Sequence, residues 1–121
     1  MEDLLQMIYD QKTIIKCLVL LCFTFLLWTT GSSMNYNAII SNSCTMPVLD
    51  YPNMYESSTH SIYSSFSEVN YPWFTDIIYI EQLNRTFSIG DFLIYSGLIM
   101  LLSCVVLLIK EFISVLRRKD G

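Results

Sequence analysis

Histidine occurs once in this sequence, at His60, and glycine occurs only four times. A zinc site needs several histidine, cysteine or carboxylate side chains at short spacing, and a phosphate-binding loop needs clustered glycines. Serine and threonine hydroxyls surround His60, but no spacing there fixes a catalytic triad. The sequence therefore predicts no catalytic residue, no cofactor and no metal site. We interpret His60 as a solvated loop side chain; an enzymatic role is an alternative that would require activity to be lost in His60→Ala.

Cysteine is too unevenly placed for a disulfide framework. Three of the four cysteines, Cys17, Cys22 and Cys104, lie in long apolar runs, and only Cys44 lies in the polar segment between them. A disulfide-stabilised domain needs paired cysteines in the same segment. A secreted disulfide scaffold is therefore excluded, and the cysteines in the apolar runs are interpreted as small packing side chains.

Charged residues are scarce, at 15% of the chain, whereas 53% of the residues are hydrophobic. The formal net charge is -4, and the seven basic residues do not form the broad basic patch that nucleic-acid binding requires. We expect no nucleic-acid partner. So apolar a composition favours a membrane protein over a soluble domain.

Two apolar runs are long enough to cross a bilayer as helices. We predict transmembrane helices over residues 14–33 and 89–116, with an N-terminal inner-side segment over residues 1–13 and a basic tail over residues 117–121. A cleaved signal peptide is the alternative for the first run, because Gly31 and Ser33 are small enough to flank a cleavage site. The acidic residues that precede the run favour a retained helix instead.

The basic residues predict the orientation of this hairpin. Six of the seven lie on the terminal sides of the uncharged cores of the two runs, and Arg85 alone lies between the spans. By the positive-inside rule, both termini share the cytoplasm-like or matrix-like side. Residues 34–88 then form an outward loop.

The outward loop is rich in aromatic residues, more so than a solvated linker tolerates. Pro47 and Pro52 break any helix in its first part. In the last part, Trp73, Ile77 and Ile80 recur at helical spacing, and Pro72 suits a first helical turn. We predict a short amphipathic helix over about residues 72–86 that lies on the membrane or on a neighbouring protein.

The second span carries a strip of small residues that is typical of helix packing in lipid. Such a strip lets helix backbones approach closely, and two helices alone bury little surface. We therefore predict packing against other transmembrane subunits. The predicted helix-packing residues are Gly90, Ser96, Gly97, Ser103 and Cys104. Interfacial side chains are predicted to anchor the chain at Trp28, Trp73, Phe74, Asp91, Lys110, Arg117 and Arg118.

The C-terminal part, "PWFTDIIYIEQLNRTFSIGDFLIYSGLIMLLSCVVLLI" followed by "LRRKDG", resembles the end of subunit 6 of mitochondrial NADH dehydrogenase, a membrane subunit of respiratory complex I. The shared plan is a penultimate helix, an outward aromatic loop with "IEQL", a last helix with small residues, and a basic matrix tail. The family has five spans, and its third helix with a Tyr-x-Gly-Ala-type motif has no counterpart here. No proton-coupling residue is therefore transferred.

These observations together predict an all-α membrane protein, a two-helix hairpin joined by a long aromatic-rich outward loop with a short amphipathic helix. The resemblance implies a small structural or assembly subunit of a large respiratory-chain complex, without catalytic activity of its own. It favours complex I, and another respiratory or energy-transducing membrane complex is an alternative. It also implies the mitochondrial inner membrane, with both termini in the matrix and the loop in the intermembrane space. The alternative is a hairpin-anchored surface or viral envelope protein whose aromatic loop binds a partner.

Overall fold

Two long helices and four short strands make up the computed structural model of the chain. The backbone is described for residues 2–52 and 54–119, and side chains for residues 11–52 and 54–117. The elements are α1 (Glu2–Ser41), β1 (Met46–Leu49), β2 (His60–Tyr63), β3 (Ile78–Ile80), β4 (Arg85–Phe87) and α2 (Ile89–Lys119), with three single-turn 3-10 helices at Phe66–Glu68, Pro72–Phe74 and Glu81–Leu83. The all-α prediction is thus confirmed for the two long helices and is wrong for the residues between them.

Both long helices are apolar over a length that could cross a membrane. The apolar segments are Gln11–Ser41 and Ile89–Arg117, and 11% of the apolar window of each is buried. A core helix of a soluble protein would be mostly buried, because its apolar face packs inside the molecule. The helices therefore have the length and the exposed apolar surface that a membrane span requires.

The first helix is longer than predicted. Residues 2–13 of the predicted N-terminal segment and the predicted span over residues 14–33 belong to one continuous helix that ends at Ser41. The small residues near Gly31 do not stop it, since no proline precedes Pro47. The helix ends where Ser43 and Cys44 adopt positive φ angles of 58° and 60°. There, Asn42 Nδ2 donates to the carbonyl of Ala38 at 2.7 Å and satisfies one of the last helical acceptors.

The chain divides into two compact units. The helical unit comprises Met1–Leu26 and Ser96–Gly121. Within it, Cys17 and Cys104 are 5% and 2% exposed, and the Cys104 thiol lies 3.9 Å from the carbonyl oxygen of Cys17. A buried free cysteine of this kind behaves as a small hydrophobic residue that permits close packing.

The mixed unit, Leu27–Tyr95, contains the strands. Strand β1 pairs in parallel with β2, from Met46 opposite His60 to Leu49 opposite Tyr63. Strands β3 and β4 pair antiparallel, with Ile78 opposite Phe87. Two small sheets therefore occupy the segment that the sequence predicts to be a loop.

The amphipathic helix predicted over residues 72–86 is wrong. Its helical structure is limited to two single 3-10 turns, at Pro72–Phe74 and Glu81–Leu83, and the second turn connects strands β3 and β4 of a hairpin. The β-branched residues of β3 favour extended backbone. The chain then reverses at Asn84, which adopts a left-handed conformation with φ of 47° and whose side chain accepts a hydrogen bond from Tyr79 at 2.9 Å. Asparagine tolerates this conformation better than most residues do. The helical spacing of Trp73, Ile77 and Ile80 therefore does not correspond to a helix.

Candidate functional site

Strand β1 has hydrogen-bonded neighbours on both sides. On one side, Met46 donates to the carbonyl of Thr59 at 2.9 Å, next to His60. On the other, Asp76 donates from its backbone to Pro47 at 3.0 Å and accepts from Leu49 at 3.0 Å. The backbones of His60 and Asp76 are therefore both held against the same short strand.

A chain of buried hydroxyl groups fixes the turn that leads to Asp76. Thr75 Oγ1 donates to the carbonyl of Pro72 at 2.6 Å. Because that hydroxyl has one proton, Tyr63 must be the donor in the 2.6 Å contact between its hydroxyl and Thr75 Oγ1. Thr75 is fully buried and Tyr63 is 3% exposed, and burial raises the pKa of Tyr63. Tyr63 thus remains a neutral donor that holds the turn in place.

The carboxylate of Asp76 is buried without full compensation. The residue is 5% exposed, and its Oδ1 has no hydrogen-bond partner in the described part of the chain. Thr86 donates to Oδ2 at 3.4 Å, which is a long contact. Burial, with a smaller contribution from the negative charge of Asp91, raises the pKa of Asp76 to about 6. An ionised carboxylate in this position lowers the free energy of unfolding. Buried groups with a raised pKa of this kind are candidates for functional residues.

The imidazole of His60 lies beside this carboxylate. Its Nε2 is 3.9 Å from Asp76 Oδ2, and the histidine side chain is 45% exposed. Its Nδ1 is 2.9 Å from Thr59 Oγ1 and 3.4 Å from Ser57 Oγ. The fold therefore holds the imidazole between hydroxyl groups on one side and a carboxylate on the other.

This arrangement contains the residue types of a Ser-His-Asp triad, but the serine is engaged in closing a turn. Ser57 Oγ accepts backbone hydrogen bonds from Thr59 at 3.3 Å and from His60 at 3.1 Å. Both bonds draw electron density from the oxygen, whereas a nucleophile needs a free lone pair and an adjacent base. The geometry favours binding over nucleophilic catalysis.

A cavity of about 220 Å³ opens over the His60–Asp76 pair. Its polar lining also includes Ser57, Arg85 and Thr86. Its apolar lining includes Val48, Met54, Tyr55 and Ile62. A volume of this size accommodates an ion with its water ligands or a very small molecule.

A second polar cluster, which we call the helix junction, joins α1 to the start of α2. Asp91 donates from its backbone to Ser88 Oγ at 3.0 Å, and Ser88 donates from its backbone to Asp91 Oδ2 at 3.0 Å. This reciprocal pair is a capping box, which satisfies unpaired donors at the helix start. Asn35 of α1 donates to Asp91 Oδ1 at 2.8 Å and accepts from the Ser88 hydroxyl at 2.7 Å.

Two glycines allow the helices to meet at this junction. A Cβ atom placed on Gly31 would collide with the carbonyl oxygen of Gly90 and lie 3.1 Å from the Cβ of Leu93. A Cβ atom on Gly90 would collide with Asn35 Oδ1 and lie 2.7 Å from the carbonyl oxygen of Gly31. The absence of side chains at both positions is therefore a condition for the contact.

The residues of the predicted helix-packing strip differ in burial. Gly90, Gly97 and Cys104 are buried, whereas Ser96 and Ser103 are exposed. The contacts of Gly90 and Cys104 described above are with α1 of the same chain. Ser103 donates to the carbonyl of Ile99 in its own helix at 2.9 Å.

The predicted interfacial anchors lie in different settings. Trp28, Lys110 and Arg117 are exposed on the long helices. The side chain of Arg118 lies outside the described residues. Asp120 and Gly121 of the predicted basic tail also lie outside them. Asp91 belongs to the helix junction.

The predicted anchors Trp73 and Phe74 lie in a 3-10 turn rather than in an amphipathic helix. Trp73 packs edge-on against Phe66, and Phe74 stacks on Tyr71.

Sequence reasoning missed Asp76, Gly31, Asn35 and Ser88. The Ser88–Asp91 spacing before an apolar run is a capping-box signature that could have been recognised. The other three residues carry no local signal, because their partners are distant in sequence: 56 residues separate Asn35 from Asp91.

Two long apolar helices joined by a segment of small sheets define this protein as a helical hairpin with a β-strand insertion. Residues 7–103 match the model of a family of unknown function (DUF5317), and the chain belongs to this family. The matched residues include the helix junction, both sheets and the His60–Asp76 pair. No curated protein and no solved structure matches the chain.

Proposed function

We propose that the chain is a two-span membrane protein with a structural role in a larger membrane assembly. The observation that carries this proposal is the exposed apolar surface of both long helices. Large side chains on α1 and α2 are between about two fifths and two thirds exposed, including Phe23, Phe25, Leu26, Leu98, Ile99, Val106 and Phe112. In water such a surface would drive aggregation, so lipid or other helices must cover it.

The polar contacts support a hairpin that forms by itself and then meets partners through its outer faces. Asn35, Ser88 and Asp91 satisfy one another at the helix junction. Helices in lipid associate by close packing and hydrogen bonds, since lipid already covers apolar side chains. A chain of 14.1 kDa with two spans offers little buried surface of its own. A scaffold or assembly role fits these properties better than catalysis does.

The resemblance of residues 72–109 and 116–121 to subunit 6 of NADH dehydrogenase supports a narrower form of this proposal. In that form the assembly is respiratory complex I in the mitochondrial inner membrane, and the chain is one of its non-catalytic subunits. The basic residues on the terminal sides of the uncharged cores of the helices, among them Lys16 and Lys110, support an orientation with both termini in the matrix. The strands between the helices would then face the intermembrane space.

Native electrophoresis of epitope-tagged protein, solubilised from its own membranes in a mild detergent, tests the proposal. We expect the tag to migrate with an assembly many times larger than 14.1 kDa, because partner helices cover the outer faces. In-gel NADH dehydrogenase activity at the same position would support the complex I form, and its absence there would reject that form alone.

The matched control is the same sample after a harsh detergent, which should release the free chain. A tag that runs as the free chain in both detergents would contradict the assembly role. If its strand segment were also accessible to protease on intact cells, the surface-protein alternative would take its place.

A further inference from the structure

We propose that His60 and Asp76 form a binding site for a divalent transition-metal ion of the zinc type. This inference is independent of the assembly proposal, because it depends only on the cavity in the mixed unit. It departs from the sequence-based expectation of no metal site, since the two side chains are brought together by the fold. The described residues contain no group of three or more histidine, cysteine or carboxylate ligands, so water would complete the coordination.

The distance between the two donor atoms suits a shared ion. His60 Nε2 and Asp76 Oδ2 are 3.9 Å apart, too far for a strong hydrogen bond. Zinc lies about 2.0–2.2 Å from nitrogen and oxygen ligands. At tetrahedral angles two such ligand atoms are about 3.3–3.6 Å apart, so a small rotation of the half-exposed His60 side chain brings both atoms to one ion without movement of either backbone.

The surroundings of the imidazole orient Nε2 for a metal. Thr59 Oγ1 is 2.9 Å from Nδ1. When Nδ1 carries the proton and donates it to this hydroxyl, the lone pair lies on Nε2, which faces Asp76. Metal-binding histidines commonly use their second ring nitrogen in this way.

The carboxylate supplies the second, independent reason for a cation. Asp76 is 5% exposed, and its Oδ1 is unpartnered within the described residues. A buried charge of this kind is costly unless an opposite charge compensates it. An ion bound at Oδ2 provides that charge, and Thr86, 3.4 Å away, orients the same oxygen.

Both ligands are held before any ion arrives. The β2 backbone and the Asp76 backbone are hydrogen-bonded to opposite sides of β1, so little conformational freedom is lost on binding. The charged groups near the site are Arg85, which lines the cavity, and Asp91, which contributes to the electrostatic environment of Asp76. Arg85 is exposed and opposes a cation. Arg85→Gln should therefore bind the metal more tightly, by about threefold or more by simple charge removal.

The experiment uses the full chain in detergent micelles, with affinity tags removed and Cys44→Ser as the background, and titrates Zn²⁺ with Mg²⁺ in parallel. Because His60 is the only histidine, ¹⁵N spectra report on a single imidazole. We expect saturable Zn²⁺ binding that shifts the Nε2 resonance, and no saturable response to Mg²⁺, which prefers oxygen ligands.

Three variants test the assignment, each first shown to retain the wild-type circular dichroism spectrum and to melt no more than a few degrees below the wild type. His60→Gln and Asp76→Asn should each weaken Zn²⁺ binding by at least tenfold, and Thr59→Val should weaken it by about tenfold through the lost orientation of the ring. Unchanged affinity in both ligand variants would overturn the site, as would no saturable Zn²⁺ binding by the Cys44→Ser chain. Equal binding of Mg²⁺ would also overturn it. If one ligand variant fails to fold, the other and Thr59→Val still decide the question.

Discussion

Replacing Gly31 with alanine is expected to destabilise the contact between α1 and α2 by about 1–3 kcal/mol, the usual cost of overpacking a tight contact. Helix propensity alone predicts the opposite sign, since alanine is favoured over glycine inside a helix by roughly 0.5–1 kcal/mol. The steric effect should dominate, because the added methyl group meets the backbone carbonyl of Gly90, which cannot rotate away as a side chain can. The measurement is the midpoint of denaturant-induced unfolding in detergent micelles, followed by circular dichroism.

Ser96→Ala is the matched control for this prediction. Ser96 lies on α2 with its side chain exposed, so alanine there tests helix propensity without a steric clash and should be neutral or slightly stabilising. Gly90→Ala should resemble Gly31→Ala, because its methyl group would lie 2.7 Å from the carbonyl oxygen of Gly31. If Gly31→Ala stabilised the protein as much as Ser96→Ala, the close approach of the helices at this point would be wrong.

Replacing Asp76 with asparagine is expected to stabilise the protein at pH 8 by about 1–3 kcal/mol in the presence of EDTA. A rise in pKa from 3.8 to about 6 corresponds to about 3 kcal/mol at most. Asparagine removes the buried charge and keeps the shape of the side chain. Thermal unfolding followed by tryptophan fluorescence measures the difference.

The direction of the pH dependence follows from the raised pKa. Between about pH 4 and pH 6 folded Asp76 binds a proton that the unfolded chain has lost, so wild-type stability falls as the pH rises through this interval. Above it the penalty is constant, and below it the penalty disappears. The advantage of Asp76→Asn should therefore be present at pH 8 and largely lost at pH 4.

The comparison is repeated in a His60→Gln background, which removes the imidazole that lies beside Asp76. The gain should persist there, because burial is the largest cause of the raised pKa. An Asp76→Asn variant that is less stable than wild type at pH 8 would mean that the carboxylate is compensated in the folded protein. Proteins commonly retain a destabilising group where function requires it, which agrees with a binding role for this cavity.

The strand segment shows how local patterns can mislead. Trp73, Ile77 and Ile80 have helical spacing, yet Trp73 lies in a 3-10 turn, Ile77 precedes β3 and Ile80 ends it. Short segments have weak intrinsic preferences, and contacts made elsewhere decide between them. Tyr51 stacks on Tyr79 with ring centroids 5.2 Å apart and donates a 2.6 Å hydrogen bond to the carbonyl of Ile77. The hydrogen bond joins residues that are 26 positions apart, so no local sequence pattern predicts it.

The sequence alone predicted the two long apolar helices, because apolar runs of this length without an interrupting proline favour a helix. It also identified the small residues Gly90, Gly97 and Cys104 on the second helix. Only the tertiary structure decided that Gly90 meets Gly31, that Asn35 joins the capping box of Ser88 and Asp91, and that His60 lies beside Asp76. The physical reason is that helix formation depends on neighbours within a few residues, whereas these polar and steric contacts join residues far apart in the chain and exist only after it folds.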